Sequence, residues 1–307
     1  MKNNHYDLIV IGAGAGGIGT ALSASRVGVK TLLIEKDSKI GGTAVNSGVN
    51  VWEMGVGGTG IPQDIYNRLK QIPNAVGIYT IDHHCCWPTP GFPVYPGGNS
   101  RIDPSRDYED SLRRYGSKGI AADEEFVRQY WHGVVFEPDA YAQVIKQMLL
   151  ETDCCEIYTD TEYTSAKYKD HNITSITARK GNAEYQLTAD YWVDCTADAV
   201  LCRSVGCETM YGCESFDVFK EPDAPNESSE DINGVTLIYR VTADKSKWLN
   251  GPSEIISECW WRESFPIASV IQYPSGDWNI NMLPTMEGLH YANMNPQEVY
   301  QECIKRV

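Results

Sequence analysis

No two of the ten cysteines in this 307-residue chain form a Cys-x-x-Cys pair, no histidine lies between His5 and His83, and no apolar run approaches the ~20 residues that span a bilayer. Each absence excludes something. Cysteines spread over Cys85, Cys86, Cys154, Cys155, Cys195, Cys202, Cys207, Cys213, Cys259 and Cys303, with no charged-then-apolar leader before Leu8, do not make a disulfide framework. They are expected to be reduced thiols. Those from Cys195 to Cys213 miss iron–sulfur spacing and are expected to be small buried apolar side chains. His83, His84, Cys85 and Cys86 form a compact run of metal-ligand types, yet neighbouring side chains of an extended strand face opposite ways, so no metal is assigned. Basic residues are scarce as well: 26 Lys and Arg against 41 Asp and Glu leave a formal net charge of −15, which disfavours an extended phosphate backbone as partner. The expectation is a soluble, cytoplasmic chain that binds neither nucleic acid nor membrane.

What is present is concentrated in residues 7–35, DLIVIGAGAGGIGTALSASRVGVKTLLIE. An apolar run ends at Ile11, and Gly12, Gly14 and Gly17 then fill the pattern G-x-G-x-x-G. An alanine-rich segment follows, and a second apolar run closes on Glu35. This is the order of a dinucleotide-binding βαβ unit. Gly12 permits the tight turn off the strand, Gly14 lets backbone approach a pyrophosphate, and Gly17 lets the helix pack closely on the sheet. The phosphates would face free N–H groups at the helix N-terminus, and Glu35 would meet a ribose hydroxyl. A tight strand–helix turn alone would explain the glycines but not the acid that closes the second run.

At this length two domains are expected, over 1–213 and 214–307. Pro62 opens a short amphipathic helix over 62–72, with Ile65, Leu69 and Ile72 on one face. Five prolines and three glycines between Trp87 and Pro104 predict irregular structure, within a Pro/Gly-rich excursion over about 80–125, and Trp87, Phe92 and Tyr95 suit a substrate-side lid. Pro138 opens a second helix whose apolar stripe is Tyr141, Val144, Ile145, Met148 and Leu149. Segments 156–159, 163–168, 173–179 and 185–187, with turns at His171-Asn172 and Gly181-Asn182, predict an antiparallel meander, and YWVDCTADAVLCRSVG then forms a buried strand and turn. Residues 214–233 predict a surface loop, 234–241 and 278–282 strands, and Asn295-Pro296 the start of a last helix. Trp248, Trp260, Trp261 and Trp278 are core anchors or pocket walls.

After Glu35 the chain reads KDSKIGGTAVNSG, dense in glycine and small polar residues. With the βαβ unit before it, this stretch resembles the FAD-binding domain of the two-dinucleotide-binding-domain, glutathione-reductase-like flavoproteins. The later DCTAD, residues 194–198, is similar to the D-A-T-G-D segment of the FAD-dependent oxidoreductases among them, with Ala197 where glycine is usual. The resemblance spans roughly the first 215 residues. It implies an α/β fold: a Rossmann-like FAD-binding domain with a parallel central sheet and a small antiparallel meander, plus a smaller, incomplete α+β substrate domain. It implies FAD as cofactor, with Gly12, Gly14 and Gly17 at the pyrophosphate and Glu35, with Lys36 beside it, at the adenosine ribose. Gly41, Gly42, Thr43, Ser47 and Gly48 would lie near phosphates or flavin, and Thr196, Ala197 and Asp198 at the far side of the cofactor. Flavin disulfide reductases carry G-G-T-C-x-N-x-G-C in this loop; here Ala44 and Val49 replace both cysteines, which excludes dithiol chemistry there.

The expected activity is therefore an FAD-dependent oxidation of a small organic substrate, with the flavin as hydride or electron acceptor. The alternatives are an NAD-dependent dehydrogenase and a non-catalytic, truncated flavoprotein. His83, His84 and His132 are acid–base candidates only because imidazole titrates in the useful range. The family's chain returns to the FAD domain after the substrate domain, and no such segment precedes Val307. A fragment, or an incomplete cofactor site, is expected, and with it association with the missing segment or with a second copy of the chain.

Overall fold

The computed structural model describes residues 4–53, 58–83, 97–112, 125, 129–242 and 267–306. In chain order the first elements are β1 (His5–Ile11), α1 (Ala15–Arg26), β2 (Thr31–Ile34), α2 (Thr43–Asn46), β3 (Val51–Trp52), α3 (Ile61–Leu69) and β4 (Val76–His83). Next come β5 (Gly97–Ile102), α4 (Tyr108–Leu112), β6 (His132–Phe136), α5 (Pro138–Leu150), β7 (Cys155–Tyr158), β8 (Glu162–Lys169), β9 (Asn172–Lys180) and β10 (Ala183–Asp194). The last are α6 (Val200–Ser204), α7 (Phe216–Phe219), β11 (Ile238–Val241), β12 (Ile267–Gln272), β13 (Trp278–Leu283), α8 (Gly288–Tyr291) and α9 (Pro296–Arg306). The chain divides into two compact units, Met1–Val51 with Gly57–Val76 and Phe136–Thr209, and Trp52–Val56 with Gly77–Val135 and Met210–Val307.

The first unit carries a six-stranded sheet in the order β7-β2-β1-β10-β9-β8. The first four strands run parallel, which requires both faces to be covered, and all four residues of β2 are buried accordingly. Gly17, Ile18, Ala21, Leu22 and Ser25 form the buried stripe of α1; Tyr141, Val144, Ile145, Met148 and Leu149 form that of α5, the stripe expected from sequence. Tyr6, Ile9, Ile11, Leu32 and Ile34 join Ile176, Ala178, Leu187 and Leu201 in one apolar cluster, so parallel sheet and meander share a core.

Two expectations shift here. Residues 185–187 and the segment expected as a separate buried strand are one twelve-residue strand, β10, which pairs antiparallel with β9 through Leu187 and parallel with β1 from Thr188 onward; Tyr191 is exposed and Trp192 to Asp194 are only half-buried. Thr188 and Asp190, with only the small Ala189 between them, break the apolar period, but the Thr188 N–H donates to the Asn4 carbonyl at 2.9 Å and keeps the strand in the sheet. The β8–β9 turn sits one residue earlier than expected: Asp170 and His171 are the two left-handed residues, at φ 51° and 62°, as a two-residue hairpin with right-handed twist needs.

The second unit is built on a seven-stranded sheet in the order β11-β13-β12-β5-β4-β6-β3. Here Gly97–Ile102 is a strand, although the proline and glycine content predicted irregular structure to Pro104. It pairs antiparallel with β4 and parallel with β12, so its backbone groups are satisfied by partners remote in sequence. The expected loop at 214–233 contains the helical turn α7 and a bridge between Cys213 and Ser229. Residues 87–96 of the expected lid, with Trp87, Phe92 and Tyr95, lie outside the described residues, as do His84, Cys85, Cys86, Trp248, Trp260 and Trp261. Trp278 is half-buried, with the Arg101 guanidinium 5.8 Å from its ring centroid. Among the described residues no helix is long and apolar enough to cross a membrane, and no group of three His, Cys, Asp or Glu could hold a metal ion.

Candidate cofactor site

Strand β1 ends at Ile11, and the chain turns at once into α1. Gly12 has φ +94°, and a Cβ there would lie 2.6 Å from the Cys195 carbonyl oxygen. Only glycine fits that conformation beside that backbone. A Cβ on Gly17 would lie 1.9 Å from the Gly12 carbonyl oxygen, so the first turn of α1 presses directly on the glycine turn. Gly14 differs from both, because nothing lies within 4 Å of its Cβ position. It caps α1 with no side-chain hydrogen bond to the helix, and no acidic residue lies in the first turn. The first-turn N–H groups and the positive end of the helix dipole therefore face open space in front of Gly14, which suits an anion.

Glu35, 6% exposed, follows β2 directly. Its Oε2 accepts the Ala13 N–H at 2.7 Å and its Oε1 the Asp37 N–H at 3.0 Å, which pins the carboxylate beside the glycine turn. Each oxygen retains a lone pair for a further donor such as a sugar hydroxyl. The Gly41 N–H donates to the Ala13 carbonyl at 2.8 Å, and Gly42, at φ +55°, would bring a Cβ within 2.8 Å of the Gly14 Cα. The 41–48 loop thus folds onto the glycine turn and leaves no room for a side chain at Gly42. Thr43 opens α2, with Ser47 just past its end and Gly48 at φ +72°. Thr43, Ser47 and Lys36 are exposed.

The third strand end is that of β10. Ile11 and Asp194 are paired residues, and the Cys195 N–H donates to the Ile11 carbonyl at 2.8 Å, which lays residues 194–198 beside Gly12. Asp194 organises this segment. Its Oδ1 accepts the Thr196 N–H at 3.0 Å and the Thr196 hydroxyl at 2.7 Å, and its Oδ2 accepts the Cys202 N–H at 3.0 Å. Burial acts to raise the Asp194 pKa, but hydrogen bonds from Cys202, Thr196 and Leu201 together hold it below the usual carboxylate range. The Thr196 oxygen in turn accepts the Val200 N–H at 3.0 Å. Ala197 keeps an ordinary negative φ, so glycine is not needed there, whereas Ala199 is left-handed at φ 49°. Ala197 and Asp198 are exposed beside this hub.

Gly12, Gly14, Gly17, Glu35, Gly41, Gly42 and Thr196 are thus brought together at the ends of three adjacent parallel strands. Asp194 opens the DCTAD segment but was given no role from sequence, and Asn50 was not singled out. Asn50 is buried, donates through Nδ2 to the Phe136 carbonyl at 2.8 Å and accepts the Phe136 N–H at 3.1 Å, anchoring the end of the 41–50 loop. Its signal was an asparagine flanked by Val49 and Val51, which is weak. His132 is not part of this cluster's unit: its ring is buried, with Nε2 2.7 Å from the Gln129 carbonyl oxygen. The side chain of His83 and all of His84 lie outside the described residues. The cysteines expected to be buried from Cys195 to Cys213 are not: Cys195 and Cys202 are half-buried, and Cys207 and Cys213 are exposed.

Residues 7–257 match the family model described as FAD dependent oxidoreductase. The chain is 44% identical over 52 residues to a 3-oxosteroid 1-dehydrogenase of Comamonas testosteroni, a stretch covering 17% of this chain and 9% of that protein. It is 57% identical over 47 residues to dihydrolipoyl dehydrogenase 2, chloroplastic, of Arabidopsis thaliana, covering 15% of this chain and 8% of that one. Among solved structures, a geranylgeranyl bacteriochlorophyll reductase-like protein from Thermoplasma acidophilum superposes with a TM-score of 0.53 at 13% identity, covering 98% of this chain and 61% of that one. The matched stretches thus span less than two thirds of each of these proteins.

Proposed function

Because the chain belongs to the FAD dependent oxidoreductase family, we propose that the glycine turn, Glu35, the 41–48 loop and residues 196–198 cradle FAD in an oxidoreductase that acts on a small organic molecule. The observation that carries the proposal is the open space in front of Gly14, with an uncapped helix N-terminus behind it and the Glu35 carboxylate beside it. Gly12, Gly14 and Gly17 would hold the pyrophosphate against the first turn of α1, and Glu35 would accept from the adenosine ribose while Lys36 borders it. Gly41, Gly42, Thr43, Ser47 and Gly48 would flank phosphates or flavin. Thr196, Ala197 and Asp198 would meet the far side, positioned by Asp194. When bound, FAD supplies a ring that accepts a hydride or electrons from the substrate. The protein binds and orients it. Ala44 and Val49 offer no thiol in the loop, so electrons do not pass to a dithiol there.

The test is reconstitution. Purified protein incubated with FAD and passed over a desalting column should retain flavin absorbance and release FAD on denaturation. Glu35→Ala removes a charged hydrogen-bond acceptor and should weaken FAD binding by roughly 10- to 100-fold, corresponding to ~1.5–3 kcal/mol. A folded protein that retains nicotinamide dinucleotide instead, or no dinucleotide at all, would overturn the proposal, as would unchanged FAD affinity in a folded Glu35→Ala protein.

A further inference from the structure

The short helix Val200–Ser204 is closed by two hydrogen bonds, from the Cys207 N–H to the Cys202 carbonyl at 3.0 Å and from the Gly206 N–H to the Arg203 carbonyl at 3.2 Å, with Gly206 at φ +84°. This is a Schellman closure, in which the side chains that open and end the six-residue ring come together, commonly as an apolar contact. Here both are cysteines. The Cys202 N–H donates to the Asp194 Oδ2 at 3.0 Å, and burial, with Asp194 and Cys207 adding to it, pushes the Cys202 thiol pKa up. Cys207 is exposed and Cys202 half-buried, so a small reagent reaches the pair from the Cys207 side. A ring closed by a first-to-last hydrogen bond sets the two Cα atoms within the ~4.4–6.8 Å that a disulfide spans.

We propose that Cys202 and Cys207 form a reversible intramolecular disulfide, a redox site on the turn that follows Thr196, Ala197 and Asp198, with a low-molecular-weight disulfide as its oxidant. The Cys207 thiolate attacks one sulfur of the small disulfide; a mixed disulfide forms and one small thiolate leaves. Cys202 gives its proton to solvent and attacks the Cys207 sulfur, forming the protein disulfide and expelling the second small thiolate. Two protein thiols are oxidised, one small disulfide is reduced to two thiols, and the two protons released are taken up by the leaving thiolates. The Asp194 carboxylate beside Cys202 disfavours its thiolate, which leaves Cys207, the more exposed of the two, as the attacking thiol. Asp194 also holds Thr196, so the covalent link ties the far end of a turn whose near end lies beside Gly12. No flavin takes part, and the outcome is independent of the cofactor assignment.

Trypsin cuts after Arg203, between the two cysteines, which makes the test direct. Reduced protein is incubated with oxidised glutathione, quenched in acid, blocked with N-ethylmaleimide and digested. The peptide ending at Arg203 and the one beginning at Ser204 should stay joined until a reductant is added. Cys195→Ser and Cys213→Ser should keep the linkage, and Cys202→Ser should instead trap glutathione on Cys207. Separate peptides from the unsubstituted chain, glutathione accumulating on its Cys207, or a linkage that survives in Cys202→Ser or Cys207→Ser would each overturn the proposal.

Discussion

Alanine at Gly17 and at Gly14 should separate packing from binding. At Gly17 the new methyl group would sit 1.9 Å from the Gly12 carbonyl oxygen, against the 3.4 Å at which ordinary contact begins, and the obstacle is backbone at a turn already held at φ +94°. The first turn of α1 has to lift off the sheet, which costs ~1–3 kcal/mol. Alanine's lower conformational entropy in the unfolded chain, which is also the main source of its better helix propensity, returns about 0.5–1 kcal/mol of this. A net loss of ~0.5–2 kcal/mol corresponds to a drop in Tm of roughly 1–8 °C for a domain of this size. At Gly14 the backbone is ordinary, φ −76°, and the methyl meets nothing within 4 Å. A few tenths lost at the helix cap are offset by reduced unfolded-state entropy, so Tm should stay within about 2 °C of the unsubstituted protein. That methyl nevertheless stands where the pyrophosphate is proposed to approach, and FAD affinity should fall by at least ~10-fold, or ~1.4 kcal/mol. Melting of the flavin-free proteins by circular dichroism and titration with FAD by fluorescence give the two readouts. If Gly17→Ala melts with the parent, the close-approach argument is wrong; if Gly14→Ala binds FAD as the parent does, the assignment of this turn to the pyrophosphate is wrong.

Asp194→Ala leaves two backbone N–H groups and the Thr196 hydroxyl without their acceptor and should cost ~1–3 kcal/mol in chemical denaturation. The folded pKa of Asp194 lies below its unfolded value, so its contribution is present above pH ~3.9 and is lost as pH falls through the folded value. A plot of Tm against pH should therefore fall less steeply below pH ~4 in the variant than in the parent, and parallel curves would refute the role of the carboxylate. At the alkaline end, burial, with Glu156 and Cys154 adding to it, pushes the Cys155 thiol from 9.0 up to about 12, and burial pushes Tyr141 from 10.0 up to about 12. Both groups bind their proton more tightly when folded, so stability is full below pH ~9 and declines progressively towards pH ~12, which denaturation at stepped pH will reveal. Cys155 should accordingly resist alkylation at neutral pH until the protein is unfolded, while Cys207 reacts in the native state.

The helices and the glycine turn were legible because their causes are local. Apolar spacing set the buried face of α5, and Gly12, Gly14 and Gly17 stand at the offsets a strand–turn–helix requires. The continuity of β10 was not legible, since residues 188–190, Thr-Ala-Asp, are held by strand partners far away in sequence rather than by their own pattern. The same applies to β5, whose glycines argued for a loop until β4 and β12 supplied its hydrogen bonds.

For the candidate site, sequence alone determined the residue types: three glycines before a helix, an acid closing the second strand, and a small-residue loop after it. The tertiary structure decided what each one does. It turned both Glu35 oxygens onto the Ala13 and Asp37 N–H groups and left the space before Gly14 open. It also set Asp194 across from Ile11, 183 positions away along the chain by their numbering, where one carboxylate gathers Thr196 and Cys202. Parallel strand pairing brings together residues that no local pattern links, and the Schellman turn, whose bonds are local, left to the fold how far Cys202 and Cys207 would be buried.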